Sequence, residues 1–158
     1  MEISYYTYHL LGRPKNSKLF FERDKTRLLE HTQADIIVEK ATLETLQEQL
    51  KYATVIFVCG GNVLRLKESL LAYPDFSKLI KGKVYVGASA GANLLAHWHT
   101  SYFSRELQPG LGILPINLMA HYSNPEFNAT AERIAEFSTD HELILLPECE
   151  WQVFEVEE

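Results

Sequence analysis

Four short apolar runs rich in β-branched residues constrain what this chain can fold into: Asp35-Ile36-Ile37-Val38, Val55-Ile56-Phe57-Val58, Val84-Tyr85-Val86 and Leu143-Ile144-Leu145-Leu146. Each is continuous rather than alternating, the pattern of strands covered on both faces of a parallel sheet. Helical spacing separates them. Leu43, Leu46 and Leu50 recur at i, i+3 and i+7 behind Thr42, which predicts a helix with Thr42 as its N-cap. Val63, Leu66 and Leu70 do the same after Asn62, a short helix is expected from Asp75 to near Gly82, and Ala131, Ile134 and Ala135 stripe a later one. An alternating strand, Ile3 to Leu10, and a polar loop, Gly12 to Lys18, precede the first helix. Strands alternating with helices predict an α/β sandwich on a mostly parallel sheet. With no internal repeat, low-complexity stretch or linker, residues 1–158 are expected to form one domain.

Composition excludes several function classes. Hydrophobic residues make up 46% and charged residues 23%, as in an ordinary soluble chain. A net charge of −6 argues against nucleic acid or an anionic membrane as partner. No apolar run approaches the roughly 18 residues that span a bilayer. The first ten residues, MEISYYTYHL, lack the basic-then-apolar order of a signal peptide. Cys59 and Cys149 have no metal-type spacing and read as reduced thiols at strand ends, which fits a cytoplasmic protein.

Ligands of parallel α/β folds bind at the carboxyl ends of the strands. Two such ends stand out, Cys59-Gly60-Gly61-Asn62 and Gly87-Ala88-Ser89-Ala90-Gly91. In the second, Ser89 is either a helix cap or the nucleophile of a G-x-S-x-G elbow, whose neighbours must be small. A serine nucleophile needs a base and an acid that orients it. His121 follows the apolar run Leu111 to Ala120 and opens the turn-rich Tyr122-Ser123-Asn124-Pro125, at the end of an expected strand. Glu148 has the same address after Leu146-Pro147. The bland alternatives are a hydrogen-bonded strand-end histidine and a solvated carboxylate. His9, His31, His97 and His99 read as surface or core-edge residues, the last two on the helix leaving Ser89, and His141 as a turn residue. The α/β-hydrolase order Ser, acid, His would leave His141 as base, with its acid among Glu126, Glu132, Glu136 and Asp140, in or next to the preceding helix. That geometry is hard to arrange, so that fold is rejected. Gly60-Gly61 match no nucleotide loop, but glycines there expose backbone N–H groups. The N–H groups of this glycine pair and of Ala90 would make an oxyanion hole.

CGGN before an apolar helix, GASAGAN, a strand ending in HYS, and LLPE, from about Asp35 to Glu148, together resemble the peptidase E (aspartyl dipeptidase) and cyanophycinase family of serine peptidases. The resemblance implies a three-layer, flavodoxin-like α/β sandwich related to class I glutamine amidotransferases. It assigns the nucleophile to Ser89, the base to His121, the acid to Glu148 and the oxyanion donors to Gly61 and Ala90. Asn62 and Arg133 would contact a small peptide substrate, and neither a metal nor an organic cofactor is implied. Three features depart from the family pattern. Cys59 stands where many members have glycine. The chain is shorter than typical members, abbreviated at both ends. Aspartyl-specific members also carry an arginine shortly after the histidine, where this chain has Asn128-Ala129-Thr130, with Arg133 three residues on.

The expected function is that of a cytoplasmic serine exopeptidase or dipeptidase working through an acyl-enzyme. The rivals are a catalytically silent small-molecule or peptide-binding homologue, and an esterase or acyltransferase using the same triad.

Overall fold

A computed structural model describes residues 3–8, 17–33, 35–101, 104–123, 128–137 and 140–156. The fold is α/β, with parallel and antiparallel pairing and several helices, and the chain groups into two compact units, Met1–Ala90 and Gly91–Glu158.

The first unit holds a four-stranded parallel sheet in the order β2-β1-β3-β4, formed by Ile36–Lys40 (β2), Ile3–Tyr8 (β1), Val55–Val58 (β3) and Val84–Gly87 (β4). Its helices are Ser17–Glu30 (α1), Leu46–Tyr52 (α2), Val63–Leu70 (α3) and Phe76–Leu79 (α4). The chain moves one way from β1 to β2 and the other way from β2 to β4. Right-handed crossovers therefore send α1 to one face and α2 to α4 to the other. The contact between α2 and α4 agrees with this. Register puts Val38, Val55, Phe57, Val84 and Val86 on one face, and Ile37, Ile56 and Tyr85 on the other. On the first face, Asp24, Arg27 and Leu28 of α1 border a groove with Ile36 and Phe57.

Burial corrects one expectation. The central β3 is covered as predicted, with Val55 8% and Ile56 1% exposed, but Ile37, Val84 and Val86 are 44%, 59% and 39% exposed. These three lie on β2 and β4, the outer strands of this sheet, where a continuous apolar run is not matched by cover on both faces.

In the second unit the sheet order is β6-β5-β7-β8: Leu107–Pro109 (β6), Trp98–Thr100 (β5), Ile116–Ala120 (β7) and Glu142–Leu146 (β8). β5, β7 and β8 run parallel, while β6 is antiparallel to β5. Every residue of β7 is buried. Ile116 and Leu118 pack with Ala92 of helix α5 (Ala90–Leu95), Ala96 and Leu114 on one face. Met119 packs with Ala131 and Ile134 of helix α6 (Asn128–Phe137) on the other, where Phe137 also meets Trp98 edge to face. One helix thus covers each face of this sheet.

Several expected boundaries shift, each for a local reason. Thr42 does not cap α2: its N–H donates to the Thr45 side chain in a turn, and the helix starts at Leu46. The helix expected up to Gly82 is only one turn, α4, beyond which Lys83 N–H bonds to the Ile80 carbonyl. Helix α1 begins at Ser17, so the polar loop is shorter than expected; residues 12–16 of it, and Leu10 of the first strand, lie outside the described residues. Helix α5 stops at Leu95, so His97 and His99 are not on it, and His99 sits in β5. The stop has a cause: N–H groups of Leu111, Leu114 and Gly112 bind the carbonyls of Leu94, Leu95 and Ala96. For the same reason the run from Leu111 is not all strand, and β7 starts only at Ile116. A Cβ on Gly110 would lie 2.2 Å from the Ala96 carbonyl oxygen, so only glycine fits this crossing.

Candidate active site

In the first unit, β3 and β4 end side by side at Val58 and Gly87, and the Ala88 N–H donates to the Val58 carbonyl to continue the pairing one step. Ser89 follows, half-buried, with φ 52°, directly before the first residue of α5. This is the left-handed region, which costs an L-residue about 1–2 kcal/mol. The loop after β3 approaches closely. A Cβ on Gly60 would lie 3.2 Å from Ser89 Cβ and 3.6 Å from its Oγ, whereas nothing lies within 4 Å of the equivalent point on Gly61. The glycine pair is therefore two different devices: Gly60 leaves room for Ser89, and Gly61 faces open space on its side-chain side.

Asn62 caps α3, its Oδ1 accepting the Arg65 N–H at 3.0 Å. Cys59, buried, places its Sγ 3.9 Å from Asp24 Oδ2. Burial pushes the Tyr85 phenol well above the ordinary tyrosine range, so this β4 residue stays neutral.

In the second unit, β7 and β8 end level, with Ala120 paired to Leu146. His121 follows directly, at φ 66°, and its Nδ1 is hydrogen-bonded to Glu148 Oε1. A carboxylate accepts only, so the proton lies on Nδ1 and the neutral ring's Nε2 is left to accept. The imidazole is 25% exposed and the carboxylate 61%. Two further bonds join the turns: Tyr122 N–H to the Leu146 carbonyl, and Glu148 N–H to Ser123 Oγ.

Backbone strain gathers at these places. Among the described residues, the non-glycine positions with positive φ are Ser89, Arg105, His121 and Cys149, the last directly after Glu148. Such strain persists only where surrounding structure imposes it, and it clusters at functional sites.

The remaining expectations separate. Arg133 is exposed on α6, whose Ala131 and Ile134 face the core, and Arg65 is exposed on α3. His99 is 1% exposed inside the second unit, His31 lies on the surface, and the exposed His97 stacks on His141 with centroids 4.3 Å apart. His9 lies outside the described residues. Among the described residues no cluster of three or more His, Cys, Asp or Glu could hold a metal ion, and no helix is long and apolar enough to cross a membrane. Ser123 was missed by sequence reading. It is the third residue of HYS, and only its position in that strand-end turn marked it.

Together these features define a class: an α/β protein with a strained serine at one strand end and a histidine–carboxylate pair across two others. The chain belongs to peptidase family S51, whose family model matches residues 20–157. It is also similar to peptidase E from Shewanella oneidensis, 36% identical over 107 aligned positions that cover 58% of this chain and 45% of that one. The chain thus spans about half the length of the curated relative it matches. Its backbone resembles the crystal structure of a Listeria monocytogenes EGD-e protein assigned as peptidase E, with a TM-score of 0.63 over 91% of this chain and 77% of that one. At 19% identity that likeness speaks for the fold.

Proposed function

We propose that this chain is a serine peptidase acting on small peptides as an exopeptidase or dipeptidase, with Ser89 as nucleophile, His121 as base and Glu148 as acid. One observation carries the reading: in a chain of family S51, His121 Nδ1 is hydrogen-bonded to Glu148 across adjacent strand ends. The left-handed Ser89 and the space kept for it by Gly60 support its part as the nucleophile of a strand-to-helix elbow.

Ser89 Oγ attacks the peptide carbonyl carbon while His121 Nε2 takes its proton, and Glu148 stabilises the imidazolium that results. The Gly61 and Ala90 N–H groups receive the developing oxyanion. Collapse of the tetrahedral intermediate breaks the C–N bond, and the proton held by His121 passes to the leaving amine. Water, deprotonated by His121, then attacks the ester carbonyl and releases the acid and Ser89. Asn62 and Arg133 are the proposed substrate contacts, the first a helix cap and the second a surface residue. We further read residues 1–158 as one three-layer, flavodoxin-like domain related to class I glutamine amidotransferases. The strand order β2-β1-β3-β4 and the α5 and α6 cover of the second sheet support that reading.

A fluorophosphonate probe tests it. The wild type should be labelled on Ser89, and Ser89→Ala not at all. Wild-type protein that resists the probe would point to the silent binding homologue. Labelled protein that cleaves p-nitrophenyl acyl esters but no member of a dipeptide library would point to the esterase.

A further inference from the structure

We propose that Ser123 is the positioning residue of the His121–Glu148 pair, pinning the Glu148 backbone to the turn that carries the imidazole. The inference rests on the triad reading above and deepens it.

The need for a pin follows from where Glu148 sits. The ladder between β7 and β8 ends at Ala120 and Leu146, with one further bond from the Tyr122 N–H to the Leu146 carbonyl. Pro147 comes next and has no N–H to extend the pairing. From there the chain turns away: Cys149 is left-handed at φ 64°, and the Glu150 N–H returns to the Pro147 carbonyl. The carboxylate is mostly solvent-exposed, where an ion pair alone is worth little and does not hold a long side chain in one rotamer. Beyond Pro147 the described link from this turn's backbone to the His121 turn is the Glu148 N–H donating to Ser123 Oγ at 3.1 Å. Ser123 is two residues from His121, so its hydroxyl fixes the spacing of the two turns and the distance the carboxylate must bridge. Serine suits the position because its short side chain carries an oxygen that accepts the Glu148 N–H.

The test compares wild type, Ser123→Ala, Ser123→Thr and Glu148→Gln, reading kcat and KM on a dipeptide, the thermal midpoint, and the downfield NMR resonance of the His121 Nδ1 proton. Ser123→Ala should lower kcat about tenfold with KM within about twofold, because misplacing a catalytic group weakens the transition state rather than binding. Its Nδ1 resonance should broaden or move upfield, while Ser123→Thr, which keeps the oxygen, should restore both. Wild-type kcat and an unchanged resonance in Ser123→Ala would overturn the proposal, as would a lowered kcat accompanied only by a lower thermal midpoint. Glu148→Gln separates the two levels. If it keeps wild-type kcat, the triad reading fails, while the resonance in Ser123→Ala still decides whether Ser123 holds the pair.

Discussion

His121 and Glu148 stand at the ends of adjacent parallel strands, and the imidazole Nδ1 is hydrogen-bonded to the carboxylate. The bond fixes the tautomer with Nε2 as acceptor, the state a serine base requires. His121→Ala should lose on the order of 10⁴-fold or more in kcat. Glu148→Gln should be milder, roughly 10²–10⁴-fold, because an amide keeps part of the orientation and loses the charge facing the imidazolium. Combining either with Ser89→Ala should add little in steady-state kinetics, as for groups acting as one unit. Losses that multiply would show that they act separately.

Ser89→Ala should reduce hydrolysis on the order of 10⁴–10⁶-fold and leave the fold intact. Ser89→Gly should be equally inactive yet more stable than Ser89→Ala by about 1 kcal/mol, because glycine accepts φ 52° without strain. Denaturant melts of the two variants check this, and equal midpoints would show that the backbone relaxes once the hydroxyl is gone.

Gly60→Ala sets a new Cβ 3.2 Å from Ser89 Cβ, so the serine must give way by a few tenths of an ångström. A nucleophile displaced that far should lose about tenfold or more in kcat, with a small change in melting temperature. Gly61→Ala meets no neighbour within 4 Å, so its cost comes from the backbone, which at φ 158° strains an L side chain.

Gly110→Ala should be a stability variant. Its Cβ would press on the carbonyl oxygens of Ala96, Asn93 and Leu94 at 2.2–2.9 Å, and all three belong to the backbone that ends α5. Overpacking of this kind costs about 1–3 kcal/mol or more, roughly 5 °C in melting temperature for a chain of this size. Scanning calorimetry of the variant measures it directly.

Specificity for an N-terminal aspartate should be weak. A cation facing a substrate carboxylate makes charge-assisted bonds, and here Arg133 is exposed on α6 while Thr130 is buried. The kcat/KM of an Asp-Xaa dipeptide should be within about tenfold of the matching Asn-Xaa, and Arg133→Ala should change that ratio less than about threefold. A hundredfold preference for Asp that Arg133→Ala removes would instead make Arg133 the cation that selects the substrate carboxylate.

The sequence by itself determined what depends on neighbours along the chain. Continuous apolar runs made β2, β3, β4 and β8, and in the first three the β-branched residues suit an extended backbone. Asn62 before Val63, Leu66 and Leu70 made a capped α3, since the cap and the Arg65 N–H it accepts are only three residues apart. Small residues around Ser89 marked the turn from β4 into α5. Tertiary structure decided what depends on groups far apart in sequence. Helix α5 ends at Leu95 because N–H groups from residues 111–114 take its last carbonyls, which moved His99 from a helix to β5. Val84 and Val86 are apolar and still exposed, because cover comes from elements packed on a sheet and not from the strand itself. Ser123 meets Glu148 across 25 residues, and local sequence carries no signal for a bond made by the register of two strands.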